Sequence, residues 1–510
     1  MVNLRAAKNI QTVCKTLARH LSPSSRLPLT LTSVAASILA TGAHQASSAW
    51  AADSSPSDQT QLISTDPVVQ DQIDRSLNRA PVDRVAMKQD SRTVGRVYPP
   101  PRLRYIETRT TNDGDIRLAE RPKFEDRIGG RYAHATSNNN FIFYTLDPDL
   151  QDYVRTVVAR AQASHVAVVA MDPSTGAILA IAGKSISVPD IEYHAGFPAA
   201  SLFKVVTAAA AVEHAGIETH SMIPFRGGTY TLNQANYNPD PRLDRRVMSV
   251  GEALGRSCNP VFGHIGLKYL NGDILAKYAR QFGFNRGLSL EAPLPESSAW
   301  IPQDNSYELS RTSAGFGEVR ISPIHAAALM SGIANGGVLP KPQMVDTIVD
   351  PDGTVIQKQK PEMLQRIVQS STAESLMKMM HYTTTVGTSR REFMRGSSPT
   401  LGAIDVAGKT GTLTGDNPVG LNNWFIGAAP IQNPKIAIAV ITVDPQHSSK
   451  ASHLGRLVLQ KYFGVTPVDP PPSQRPRKSV RTSSKKSYYS SAKKSTKRSS
   501  GSHSKSKKKK

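Results

Sequence analysis

Cysteine is nearly absent: Cys14 and Cys258 are the only two in 510 residues, and they lie far apart. Two thiols cannot build a disulfide framework or fill a four-ligand thiolate zinc site. The thirteen histidines show no His-x-x-x-His spacing in an acidic setting, so neither a metal nor another cofactor is expected. Long apolar runs are lacking too. The best stretch, Leu27 to Ala43, is diluted by Thr, Ser and Gly, whereas a spanning helix needs about twenty apolar residues. Acidic residues are missing from both ends. Residues 1–52 hold Arg5, Lys8, Lys15, Arg19 and Arg26 with no acid, and residues 471–510 hold fifteen Lys and Arg with no acid. Subtracting those twenty cations from the formal charge of +22 leaves +2 for residues 53–470. The basic character therefore belongs to two appendages, and the near-neutral body argues against a nucleic-acid surface.

What is present divides the chain. A basic start, a moderately apolar stretch and the small-residue site Ala49-Trp50-Ala51 give residues 1–52 the layout of an export signal, with a weak membrane anchor or an organellar transit peptide as alternatives. Residues 53–140 are polar and read as a stalk or linker, with short docking strands allowed after residue 102. Residues 467–510 turn Pro-rich and then Ser/Lys-rich, too polar to pack, and are expected to be disordered.

Residues 141–466 have the texture of a folded domain. Leu150, Tyr153, Val154, Val157 and Val158 recur at helical spacing behind Asp147 or Asp149 as cap. The apolar runs 166–171 and 177–182 flank Asp172-Pro173-Ser174-Thr175-Gly176, which predicts a hairpin covered on both faces. A helix is expected from Ser201 to a cap at Gly216, a helix-rich insert over 249–283, a helix over 323–334, a hairpin over 344–359 and a helix over 372–382. Strands 406–412, 423–428 and 435–443 and a closing helix 453–463 complete the series. Two strands early and three late imply an α+β fold: one five-stranded antiparallel sheet sandwiched by helices, with a helix-rich insert.

Three short signals carry chemistry. Ser201 and Lys204 are three apart on a helix, so a hydroxyl and an amine can meet; alone, the pair also fits a helix cap and a surface lysine. Ser257-Cys258-Asn259 falls between two helices, where it also fits a capping pair. Lys409-Thr410-Gly411-Thr412 lies on a strand, where a lysine also guards an edge. A phosphate-binding reading of Gly408-Lys409-Thr410 fails, because Ala403 stands where that loop needs glycine and no helix follows, a loop over 413–421 being expected instead.

Together, Ser-x-x-Lys, Ser-x-Asn and Lys-Thr-Gly in this order resemble the penicillin-binding protein transpeptidase domain and the related serine β-lactamases. Asp172 to Ala180, Phe197-Pro198-Ala199-Ala200, Ser322-Pro323 and Trp424-Phe425-Ile426-Gly427 extend the resemblance over about residues 140–465. It implies that Ser201 attacks the carbonyl of a D-alanyl-D-alanine stem peptide of peptidoglycan, or is acylated covalently by β-lactams. Lys204 would be the neutral base and Ser257 the proton relay to the leaving amine. Lys409 would supply positive charge, Asn259 would hold the substrate amide, and Thr410 and Thr412 would bind its carboxylate. Gly411 would leave room for the substrate strand, and the N–H groups of Ser201 and Thr412 would form the oxyanion hole.

The absence of Glu from Glu-x-x-Leu-Asn, with Thr229 and Leu267 before Leu232-Asn233 and Leu270-Asn271, and Asn259 where class D enzymes usually carry Val, argue against a β-lactamase. The expected activity is D,D-transpeptidation, with D,D-carboxypeptidation, β-lactam hydrolysis and a non-catalytic penicillin sensor or scaffold as alternatives. About ninety residues before 141 cannot hold a glycosyltransferase domain, so a separate glycan polymerase is an expected partner. Export through the signal or anchor would put the body in the periplasm or on the outer face of the cytoplasmic membrane, where the basic tail is either merely solvated or attached to anionic wall polymer or membrane surface.

Overall fold

In the strands His165–Met171, Val419–Ala429 and Ile436–Asp444, alternate residues enter two different cores. Ala167, Val169, Met171, Trp424, Ile426 and Ile441 face one, while Val166, Val168, Ala170, Phe425, Ile438 and Val440 face the other. This is the period-2 projection of a pleated sheet buried on both sides. The computed structural model describes residues 97–466, apart from 98, 101, 112–113 and 445–449. The segments 1–52 and 467–510, and most of the polar stretch from 53, lie outside the described residues.

The main sheet is five-stranded and antiparallel. Its order from one edge is Ala407–Asp416, Val419–Ala429, Ile436–Asp444, His165–Met171 and Ile178–Ser185. The early hairpin thus sits beside the last strand, as the sequence predicts. The helix Pro323–Ala334 and the nucleophile helix Phe203–Ala215 belong to one core, and Pro148–Arg160 and Ala451–Phe463 to the other. The insert contains Val250–Gly255, Asn259–Lys268 and Gly272–Gln281.

Two elements differ from expectation. Residues 413–421 are not a loop: the strands run on to Asp416 and restart at Val419 as a ribbon, paired down to Asp416 opposite Val419. Gly415, Pro418 and Gly420 read as breakers, yet Pro418 occupies the turn and the two glycines face each other across the ladder. Arg320 holds the tip, its guanidinium donating to both Asp416 carboxylate oxygens at 2.9 and 3.2 Å and to the Gly196 carbonyl at 2.8 Å. A second five-stranded antiparallel sheet is also present, ordered Val355–Lys358, Val345–Val349, Phe141–Tyr144, Arg131–Ala135 and Arg127–Ile128. Two of its strands form the hairpin expected over 344–359, while the other three, all before residue 145, are too short to show an alternation readable from sequence. Among the described residues no helix is long and apolar enough to cross a membrane.

Candidate active site

Ser201 lies in a single 3-10 turn, Ala200–Leu202, that feeds directly into the helix Phe203–Ala215. No side chain caps this helix; Gly216, in the left-handed region at φ 64°, ends it. Ala200 has φ +51° and Ser257 φ +57°. The remaining non-glycine residues with positive φ among those described are Asn or Asp, which tolerate it. An alanine and a serine there store about 1 kcal/mol or more each, a cost that persists where the surroundings enforce a functional geometry. Gly315 is part of that enforcement. At φ +86°, a Cβ on it would stand 2.3 Å from the Ala200 carbonyl oxygen and 3.0 Å from the Ser201 Cα.

Lys204 is wholly buried. Its amine has three partners: Ser201 Oγ at 2.8 Å, Asn259 Oδ1 at 2.8 Å and the Ala314 carbonyl oxygen at 2.5 Å. Asn259 is oriented by its own Nδ2, which donates to the Tyr230 carbonyl at 2.7 Å, so Oδ1 and the Ala314 oxygen are both acceptors. A neutral amine has two N–H bonds and one lone pair. The two acceptors take the N–H bonds, and the lone pair is left facing the Ser201 hydroxyl. Burial favours this neutral form, lowering the Lys204 pKa to about 7.

On the other side of the cleft, Lys409 is equally buried and donates to Ser257 Oγ at 3.0 Å and to the Thr410 carbonyl at 2.8 Å. Burial, and secondarily the charge of Lys204, holds its pKa well below the ordinary lysine value.

Ser201, Ser257, Asn259, Thr410 and Thr412 line one cleft of about 410 Å³, with Lys204 and Lys409 buried beneath it. A Cβ on Gly411 would lie 3.3 Å from the Ala199 carbonyl oxygen and from the Ala200 Cβ, so glycine lets the strand edge press against the turn that carries Ser201. The Asn259 amide, expected to hold substrate, is engaged by Lys204 and Tyr230 here. Sequence reasoning missed Tyr230, Phe316, Thr388, Asn423 and Lys450, which also line the cleft. Only Phe316, set between Gly315 and Gly317, carried a local signal. No Asp or Glu is among the described cleft-lining residues, and no group of three His, Cys, Asp or Glu able to hold a metal occurs among the described residues.

Residues 166–460 match the family model of the penicillin binding protein transpeptidase domain. A relative from Mycobacterium tuberculosis, peptidoglycan D,D-transpeptidase PbpA, is 27% identical over 421 residues, covering 72% of this chain and 83% of its own. The imipenem acyl-enzyme of penicillin-binding protein A from M. tuberculosis aligns with a TM-score of 0.50 at 26% identity, covering 65% of this chain and 80% of that one. The D,D-transpeptidase domain of a peptidoglycan glycosyltransferase from Eggerthella lenta has a TM-score of 0.55 at 22% identity, covering 71% and 98%, and shares the fold.

Proposed function

The chain belongs to the penicillin-binding protein transpeptidase family, and from that premise we propose that it is a peptidoglycan D,D-transpeptidase acting through an acyl-enzyme on Ser201. Ser201 Oγ attacks the carbonyl carbon of the penultimate D-alanine while its proton passes to the Lys204 lone pair. The tetrahedral oxyanion is held by the N–H groups of Ser201 and Thr412, donors typically worth ~3 kcal/mol of barrier each. The C–N bond then breaks. The proton taken up by Lys204 passes through Ser257, which is bonded to Lys409, to the departing D-alanine amine, leaving an ester on Ser201 and Lys204 neutral again. An acceptor amine attacks that ester and yields its proton to Lys204, which returns it to Ser201 Oγ as the new amide bond forms and the ester C–O bond breaks. Lys409, Thr410 and Thr412 bind the terminal carboxylate of the donor peptide, which lies along the strand edge beside Gly411 as an added strand.

The observation that carries this reading is the Lys204 amine, whose two acceptor partners leave its lone pair for Ser201. Transfer is favoured over hydrolysis because no carboxylate lines the described cleft to activate a water. Labelling with a fluorescent penicillin tests both points. Wild type should form a covalent adduct that persists for minutes or longer, and Ser201→Ala should form none. An unlabelled wild type contradicts the acyl-enzyme, and release within seconds makes the protein a β-lactamase.

Peptidoglycan synthesis places the work outside the cytoplasm. Residues 1–52 would then serve as export signal or anchor, and the basic tail 467–510 would attach to anionic wall polymer or membrane; both rest on composition. A separate glycan polymerase would make the strands that are joined.

A further inference from the structure

Thr388 has no place in the three sequence motifs, yet its side chain opens on the cleft and touches one of them. Its Oγ1 is 2.5 Å from Thr410 Oγ1. The position is built rather than incidental. Thr388 follows the C-terminus of the helix Ser370–Thr385, and its N–H donates to the Gly255 carbonyl at 3.1 Å. The preceding residue must be glycine, since a Cβ on Gly387 would stand 2.1 Å from that same carbonyl oxygen. The next residue is tied back as well, Ser389 N–H donating to the Thr383 carbonyl at 2.9 Å. Gly255 ends the helix just before Ser257. The turn therefore spans the gap between the Ser257 element and the lysine strand and holds a hydroxyl there.

Two hydroxyls at this distance share one hydrogen, because one must donate and the other accept. The carbonyl of Gly255 lies 3.4 Å from Thr388 Oγ1, too long to compete well. When Thr388 donates to Thr410, the Thr410 hydrogen is released toward the cleft.

We propose that Thr388 is a specificity-determining residue for the terminal carboxylate, orienting the Thr410 hydroxyl as a donor to it. This rests on the transpeptidase reading above and adds a residue to its carboxylate subsite. A donor kept pointing at an anion is worth more than a neutral hydrogen bond. Its loss should therefore appear in the discrimination between a free carboxylate and its ester.

The test compares second-order acylation of the full chain by benzylpenicillin and by benzylpenicillin methyl ester in wild type, Thr388→Val and Thr388→Ser. The valine variant should lower the carboxylate-to-ester rate ratio about tenfold or more, with the ester rate nearly unchanged, and the serine variant should restore the ratio. An unchanged ratio, or an equal fall for both compounds, overturns the proposal and leaves Thr388 a structural tie. A wild type that neither compound acylates overturns the transpeptidase reading itself. Because Thr388 is exposed, both variants should fold, and matched thermal melts check that they do.

Discussion

The helices Pro148–Arg160 and Phe203–Ala215 are the same length and flank the same sheet, yet they obey opposite rules. The first is conventional at every level. Asp147 caps it, accepting the Leu150 N–H at 2.9 Å; Pro148 occupies its first turn, Asp149 follows, and Arg160 closes the last turn. Its apolar residues form one buried stripe. The second helix has no side-chain cap, is entered through a left-handed alanine, and buries a lysine completely. Nothing in helix stability calls for these features. Places where local rules fail while the surrounding packing enforces the failure are where function is expected.

Gly315 offers the strongest way to break this contrast. Gly315→Ala forces a Cβ against the carbonyl that precedes Ser201 and adds left-handed strain. Stability should fall by about 1–3 kcal/mol. Displacing the nucleophile by about 1 Å should also slow acylation on the order of 10²-fold, as measured by stopped-flow labelling beside a thermal melt. Asp147→Ala is the smaller, complementary change. It should cost about 1 kcal/mol through the lost cap and leave the acylation rate unaltered. If the cap mutation slowed acylation as much as the glycine mutation did, the division of labour between the two helices would be wrong.

The same contrast explains what could be read from the chain. Elements that follow local rules were legible: the Asp147-capped helix, the hairpin around Asp172–Gly176, and the β-branched strands of the main sheet. Ser201, Lys204, Ser257 and Lys409 could be singled out because each sits in a short pattern with a chemical purpose. Their convergence on one site followed only from the resemblance that the three patterns carry together, since Lys409 reaches Ser257 across 152 residues of chain. Thr388 was invisible because Thr384-Thr385-Val386-Gly387-Thr388 looks like an ordinary helix end, and its meaning comes only from the strand it meets. Asn259 shows the converse. Its residue type fitted a substrate-amide role, and the fold adds a tie that the motif did not show: Oδ1 accepts from Lys204 and Nδ2 donates to the Tyr230 carbonyl, each atom keeping a second hydrogen-bonding position. The ribbon beyond Thr412 was misread because turn-forming residues were weighed without the partner strand that keeps them extended.

The buried lysine also has a thermodynamic cost with a definite sign. With its folded pKa depressed to about 7 against roughly 10.4 in an unfolded chain, the unfolded state binds more protons between these values. Folding stability contributed by this group therefore rises with pH across that window. Catalysis moves the same way, because only the neutral amine can accept the Ser201 proton.

The pH dependence of Ser201 acylation by benzylpenicillin is the most direct test of the central claim, that burial makes Lys204 a neutral base. The second-order rate should climb with pH and level off above an apparent pKa near 7. A rate that stays flat from pH 6 to 9, or that climbs only toward the ordinary lysine value near 10, would contradict it.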